Sequence, residues 1–363
     1  MFASSAWRCI PTLLFFSLAA LCLFAQQNKE STASGSTIRL SVNHVDVGVT
    51  VTDASGHFVK GLKRKDFKIF DNGVEQPIES FDSNESAAQI VIMIESGAGD
   101  ALFARIGKSP FAFADTLVQS LSPLDRVAIA TYSTHAVVNL EFTDNKVAAR
   151  QALRDLNVEL KATGGGSKSL NLAASIAETL DWLATVPGNN TIVLISSGID
   201  TSPGETWEYA QVKIQTSAVR ILGVSVFGDF RQPTKLKKLS QDQREDVAIV
   251  KKGMAEFDHW LERLTMATGG RVYLPKNAKE FDHDFEQIGQ LVRSEYALEF
   301  VPTSLDGRLH SIQVKLKQTR YHAECREAYL APVPSLPQTC FGISLCVTKL
   351  LPLCFAATNM CIH

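Results

Sequence analysis

Glu95 ends an apolar run, IVIMI (90–94), and opens a turn that holds Ser96, Gly97, Gly99 and Asp100 in the stretch IVIMIESGAGD. A carboxylate at the mouth of a buried strand can store a proton, pair with a cation or order the amides around it. A second polar stretch, TGGGSKSLNLA (163–173), offers Ser167, Lys168 and Ser169. Phosphate loops of the Gly-x-x-x-x-Gly-Lys-Ser type use their glycines so that backbone amides cradle phosphate while the lysine reaches the terminal groups. Here Ser167 stands where the second glycine belongs and Ala162 where the first belongs, so nucleotide binding is not expected. No Gly-x-Ser-x-Gly elbow is present for a serine hydrolase. His44, His57, His135, His259, His283 and His310 are scattered, with no HExxH and no paired CxxC to hold zinc. FDHDFE around His283 reads as a solvated helix start, because neighbours on a helix point in different directions.

The chain that positions these groups has 363 residues, 45% of them hydrophobic and 20% charged, with 36 basic against 38 acidic side chains. Nothing in that balance points to a polyanion binder or a disordered chain. Residues 1–25 carry one charge, Arg8, then an apolar run from Leu13 to Phe24 and a small residue, Ala25, before Gln26-Gln27. This is the pattern of a secretory signal peptide cut after Ala25. Residues 26–37 are a polar linker. Between Gln26 and Glu324 there is no cysteine, so the body must be held by its core rather than by disulfides. The last residues, 332–363, form an apolar tail with Cys340, Cys346, Cys354 and Cys361. It reads as a weak membrane segment, a strand-like extension or a frame-shifted end.

Two kinds of pattern follow one another in the body. VDVGVTVTD (45–53) alternates, and FKIFDNGVEQPIESF (67–81) places Asp71-Asn72-Gly73 between two strands, which predicts a small antiparallel β unit over 38–87, independent of the rest. From Gln89, apolar runs at 90–94, 126–133, 191–197, 220–228 and 271–275 alternate with helix-period segments at 111–121, 145–156, 169–186, 206–218 and 254–268. AVVNLEF (136–142) reads as an antiparallel edge strand. The order predicts an α/β domain over 88–301, with a mostly parallel sheet and helices on both faces. The charged stretch 230–253 reads as a solvated loop with a short helix, and 281–296 as a last helix. A turn at Leu305-Asp306-Gly307 predicts a C-terminal β hairpin within 302–331. Ligands of such sheets sit at the carboxyl ends of the strands, where strand order reverses, and Glu95 lies at one such end.

Four of these stretches, IVIMIESGAG, LSPLDRVAIATYS, GGGSKSLNLAASIAETL and NTIVLISSGIDTS, taken in this order, resemble a von Willebrand factor type A (VWA) domain over roughly residues 88–300. The flanks, VDVGVTVTDASGHFVKGLKRKDFKIFDNGVEQPI before and YALEFVPTSLDGRLHSIQVKLK with ECREAYLAP after, resemble the exported VWFA-related domain family described from Acidobacteria. The resemblance implies a Rossmann-like fold flanked by small antiparallel β elements, export, and adhesion or scaffolding rather than catalysis. It also implies a strand-end site for a divalent cation, usually Mg²⁺, built from Asp-x-Ser-x-Ser, a Thr in the glycine loop and an Asp after the fourth strand. In this sequence Glu95 takes the place of the first Asp, and Gly97 and Gly99 take those of the serines. Ser167 or Lys168 stands for the Thr and Ser197 for the last Asp. Ser96 falls on an x position and is expected to point away.

A hard cation wants about six oxygens, and this set offers one carboxylate and a hydroxyl or two, with Asp100 and Asp200 as the remaining carboxylates nearby. No bound metal and no other cofactor are therefore expected; were Mg²⁺ bound, Glu95, Ser167, Ser197 and Asp200 would hold it. Lys168, if turned inward, would pair with Glu95 in place of the ion. The residues expected to line the ligand surface are Glu95, Ser96, Gly97, Gly99, Asp100, Ser167, Lys168, Ser169, Ser197 and Asp200. The expected function is an exported, non-enzymatic binding module, periplasmic or extracellular, whose partner is a protein or an envelope component and not a nucleic acid. The alternatives are a cryptic envelope enzyme and a scaffold tethered to the membrane by its tail.

Overall fold

Alternation governs the first described segment. β1 (Val45–Thr52) puts Val45, Val47, Val49 and Val51 on one buried face, as side chains alternating across a strand require. β2 (Phe67–Asp71) and β3 (Val74–Gln76) pair as the hairpin that Asp71-Asn72-Gly73 predicts, and β4 (Ser80–Asp82) follows. Asn72 and Gly73 take φ values of 48° and 82°, the left-handed pair that a two-residue hairpin turn needs. The computed structural model of the protein describes residues 44–83, 87–96, 109–162, 169–197, 204–226 and 241–333, which fall in one compact unit. The expected signal peptide, linker and tail lie outside the described residues, as do Gly97, Gly99, Asp100, Ser167, Lys168 and Asp200.

The second pattern builds the α/β domain. Its elements in chain order are β5 (Gln89–Glu95), α1 (Pro110–Ser120), β6 (Arg126–Tyr132), β7 (Ala136–Thr143), α2 (Lys146–Ala162), α3 (Leu172–Leu183), β8 (Asn190–Ser196), α4 (Gly204–Thr216), β9 (Arg220–Ser225), α5 (Gln241–Ala267), β10 (Val272–Tyr273) and α6 (Ala278–Leu291). The sheet order is β10-β9-β8-β5-β6-β7, parallel except for the antiparallel edge strand β7. Ile90, Ile92 and Ile94 of β5 face α1, α2 and α6, whereas Val91 and Met93 face α3, α4 and α5. Both faces being covered, the strand reads as an unbroken apolar run. Strand order reverses between β5 and β8, so the switch point lies at Glu95 and Ser196.

Helix starts are set by side-chain caps. Ser109 Oγ accepts from the Ala112 amide ahead of Pro110, Asn171 Oδ1 from Ala174, and Asn277 Oδ1 from Lys279 and Glu280. Two boundaries differ from expectation. Residues 241–253, expected within a loop with a short helix, are the first half of the 27-residue α5, and no proline interrupts the run. The last helix ends at Leu291 rather than 296, because Tyr296 is needed as a core residue of the strand that follows. Among the described residues no helix is long and apolar enough to cross a membrane.

That strand, β11 (Glu295–Phe300), pairs with β1 and β4. After it come β12 (Leu309–Leu316), β13 (His322–Cys325) and β14 (Ala328–Leu330). The expected hairpin across Leu305-Asp306-Gly307 is not formed, because β11 and β12 lie in different sheets, of order β13-β1-β11-β4 and β14-β12-β2-β3. The N-terminal β segment is likewise not independent. Its strands and the C-terminal ones enclose a common core of Val47, Val49, Val51, Phe67, Ile69, Leu298, Phe300, Ile312 and Val314. The α/β domain is thus an insertion between β4 and β11 of a two-sheet sandwich.

Arginines fasten this sandwich to the amino-terminal ends of β9 and β10. Arg220 at the start of β9 lies 3.0 Å from Glu295 and donates to Thr50 Oγ1 at 3.1 Å. Arg271, just before β10, pairs with Glu324 at 2.6 Å. Arg326 donates to the carbonyls of Ser217, Gln215 and Ile214 at the end of α4. Glu95 is left at the opposite, carboxyl ends of the strands.

Candidate functional site

Parallel register brings the polar ends of three strands into one row. Glu95 of β5 is in register with Tyr132 of β6, and Ile94 with Ile195 of β8, so Ser196 is the next residue along. The row falls on the face covered by α3, α4 and α5, where Tyr132 joins the hydrophobic core. Glu95, Ser196 and Ser197 are fully buried and Tyr132 is 1% exposed.

The Glu95 carboxylate collects the donors of that row. Its Oε2 accepts from the Ser197 amide at 2.7 Å, and its Oε1 accepts from Ser197 Oγ at 2.8 Å. The Tyr132 hydroxyl lies 3.2 Å from Oε2 and 2.7 Å from Ser196 Oγ, while Ser196 Oγ lies 3.5 Å from Oε2. A phenol has one hydrogen, so Tyr132 and Ser196 form a short relay around the carboxylate rather than two independent full bonds. Burial raises the Glu95 carboxyl above its ordinary value, against the lowering effect of the hydrogen bonds from Ser197, Tyr132 and Ser196. Adjacent loops are tied to the same strand ends. Ser96 donates through both its amide and its hydroxyl to the Tyr132 carbonyl, at 2.8 and 3.0 Å, and so turns to the backbone rather than to the carboxylate. The Asn171 amide donates to the Ser133 carbonyl, and the Val226 amide to the Ser196 carbonyl, at 2.8 and 3.1 Å.

Of the residues singled out in the sequence, the structure therefore brings Glu95 and Ser197 together. It gives Ser96 another partner and leaves Ser169 exposed ahead of α3. Tyr132 and Ser196 belong to the site and escaped the motif reading. Their signal was present, since each is the last strand residue in register with Glu95 and each is polar at the end of an aliphatic run. The pairing of Lys168 with Glu95 lies outside the described residues.

A divalent cation does not fit the described donors. Both Glu95 oxygens already accept hydrogen bonds, and Ser197 donates to Glu95 through its amide and hydroxyl instead of offering a charge. Among the described residues no cluster of three His, Cys, Asp or Glu side chains could hold a metal ion. Nor does the row make a nucleophile: Ser197 Oγ meets a carboxylate that burial biases towards its protonated form, and both are sealed from solvent. What the arrangement does is lock the ends of β5, β6 and β8 in one geometry from which the intervening loops emerge.

Residues 110–262, from α1 into α5, match the family model of the von Willebrand factor type A domain. The match begins after Glu95 and its loop. No curated protein matches the chain. Similar solved structures include an aerotolerance-related membrane protein from Bacteroides fragilis NCTC 9343, at 15% identity and a TM-score of 0.40 over 57% of this chain and 98% of that one. A von Willebrand factor type A protein from Catenulispora acidiphila aligns at 12% identity and a TM-score of 0.40 over 73% of this chain and 75% of that one. The PilB minor pilin from Streptococcus sanguinis aligns at 11% identity and a TM-score of 0.40 over 59% and 63%. Over residues 110–262, therefore, the chain matches a von Willebrand factor type A domain, and its doubly wound sheet has the α/β order that the resemblance implies.

Proposed function

We propose that the protein is an exported, non-enzymatic binding or scaffold module that presents the strand-end loops of its VWA domain to another protein or an envelope component, without a bound metal. The observation that carries this reading is the closure of Glu95 on Tyr132, Ser196 and Ser197. A carboxylate whose acceptors are already used supports loop geometry rather than cation or acid–base chemistry. The sandwich is fastened at the other end of the sheet, away from the carboxyl ends of β5, β6 and β8. Export rests on the pattern of residues 1–25, and the balanced charge argues against a nucleic-acid partner.

Two measurements test the proposal. Titration of the purified chain with Mg²⁺ and Mn²⁺ in a calorimeter is expected to give no binding at millimolar concentration; a sub-millimolar affinity that disappears in Glu95→Ala would overturn the metal-free reading. Cross-linking in the native envelope is expected to capture a partner with the natural chain and lose it with Lys168→Glu/Asp200→Lys. Undiminished capture by that variant would remove the strand-end loops from the interface.

A further inference from the structure

Helices α4 and α5 leave between them a groove of about 300 Å³ lined by Trp207, Gln211, Ile214, Gln215, Trp260 and Arg263. Ile214 belongs to the buried core beneath, both tryptophans are half-buried against that core, and Gln211 and Arg263 are exposed. Trp207 and Trp260 meet with ring centroids 4.3 Å apart, and Phe257 stacks on Trp260 at 5.9 Å, so the ring planes are held in place. Five polar side chains reach this groove with their hydrogen-bonding capacity unused. Among the described residues, the indole N–H groups of Trp207 and Trp260, the carboxamides of Gln211 and Gln215, and the Arg263 guanidinium have no hydrogen-bond or ion-pair partner. The lining carries one cation and no acid.

That inventory selects among ligands. Both walls are α-helices, whose backbone groups bond within the helix, so recognition falls to side chains and no strand edge is offered to an extended peptide. A pyranose ring matches what is left. Its C–H groups pack flat on an aromatic plane, while its rim of hydroxyls, each both donor and acceptor, suits carboxamides of the same dual character and indole donors. The unpaired guanidinium adds a planar fork for a carboxylate. We propose that the Trp207–Trp260 groove binds an acidic saccharide, with a pyranose unit packed on the indoles, its hydroxyls on Gln211 and Gln215, and its carboxylate on Arg263. The groove shares no residue with the strand-end loops, so its test is independent of the function proposed above.

The test titrates the full chain by calorimetry with trigalacturonate, with the uncharged galactotriose, and with triglutamate, which has carboxylates but no rings. Trigalacturonate should bind with a dissociation constant of ~1 mM or below, and the other two at least ~10-fold more weakly. Arg263→Gln, at an exposed position, should bring trigalacturonate down to the galactotriose level and leave galactotriose unchanged. Trp207→Leu should abolish binding of both saccharides with an unchanged circular dichroism spectrum. Should that variant fail to fold, Gln211→Ala/Gln215→Ala, which alters no core residue, should weaken both saccharides alike. No trigalacturonate binding at ~10 mM, equal affinity for galactotriose or triglutamate, or an affinity untouched by Arg263→Gln would each overturn the proposal. So would a concentration-dependent dimer that Trp207→Leu dissociates, because the groove would then belong to a second copy.

Discussion

Removing one member of the Arg220–Glu295 pair should cost far more stability than removing both. The two side chains are 4% and 9% exposed, at the junction of the sheet with the sandwich. Nη2 lies 3.0 Å from the carboxylate, yet neither Nη2 nor Nε makes a hydrogen bond of acceptable direction. The proximity and the misalignment are both real: the contact is Coulombic, and only Nη1, on Thr50, is satisfied as a donor. Glu295 in turn lies so close over Gly48 that no Cβ would fit there. A buried pair of this kind recovers little beyond its desolvation cost, whereas a lone buried charge recovers none of it. Arg220→Met should therefore destabilise by ~3–5 kcal/mol, and Arg220→Met/Glu295→Met should return to within ~1.5 kcal/mol of the natural chain or exceed it. With a urea dependence of ~2 kcal/mol/M, the single variant's midpoint falls by ~2 M. Equilibrium urea unfolding of all four members of the double-mutant cycle measures this. Additive losses, or a single-variant cost below ~1 kcal/mol, would refute the reasoning, since the pair would then be solvated or uncoupled.

Other outcomes follow from the same contacts. Glu95→Ala leaves the Ser197 amide and hydroxyl without their acceptor and should cost ~2–5 kcal/mol, against less than ~1.5 kcal/mol for the near-isosteric Glu95→Gln, by thermal or urea unfolding. Burial raises the folded-state value of Glu95 above its ordinary 4.5, so the folded chain keeps this proton to higher pH than the unfolded chain. Its favourable contribution is full below about pH 4.5 and is lost as pH rises through the folded value; Glu95→Gln should gain on the natural chain as pH rises above about 4.5, and parallel stability curves would contradict this. Arg326→Ala removes the donor to three carbonyls at the end of α4 and should expose the amides of its last turn to hydrogen exchange ~10-fold or more, with no rescue by lysine, which lacks the guanidinium fork. Gly269→Ala places a Cβ 2.6 Å from the Arg326 amide at a φ of 71°, so it should lower stability by ~1–3 kcal/mol. The Cys325 thiol, pushed up to about 11 by burial, should resist iodoacetamide at pH 8 until the chain unfolds, as peptide mapping by mass spectrometry would show.

The fold was legible wherever a pattern is local. Unbroken apolar runs at 90–94 and 191–197 announce a sheet covered on both faces, and Asn72-Gly73 announces its hairpin, because each signal is written in a few neighbouring residues. What stayed hidden was pairing across 200 residues and more. Val45 is in register with Phe300, and Thr52 with His322, and alternation specifies only that a strand has one buried face, not which strand meets its edge. The same limit applies to the site. Glu95 and Ser197 could be singled out by motif position, whereas Tyr132 became a site residue only through the parallel register of β5 and β6. Arg220 carries no motif at all, and its role depends on Glu295 arriving from the far side of the inserted domain.

That insertion bears on how binding at the strand-end loops could be transmitted. The two chain crossings into the VWA domain, between β4 and β5 and between α6 and β11, both lie on the sandwich side, and the arginine contacts fix β9, β10 and α4 there. A ligand that pulled on the loops after β5 or β8 would strain the Glu95 row first, because the Ser197 amide and hydroxyl both terminate on one carboxylate. Strain applied there passes along hydrogen-bonded parallel strands towards Arg220, where the pair with Glu295 is the electrostatic tie of β9 to the sandwich. We predict that the two buried carboxylates mark the two ends of one mechanical path. Coupling between Glu95→Gln and Arg220→Met in a double-mutant cycle should accordingly be small, below ~0.5 kcal/mol, for the resting protein, since the sites share no partner. The same cycle measured for partner affinity should show a larger coupling if the path carries load, and strict additivity in both measurements would leave the sandwich as a passive mount.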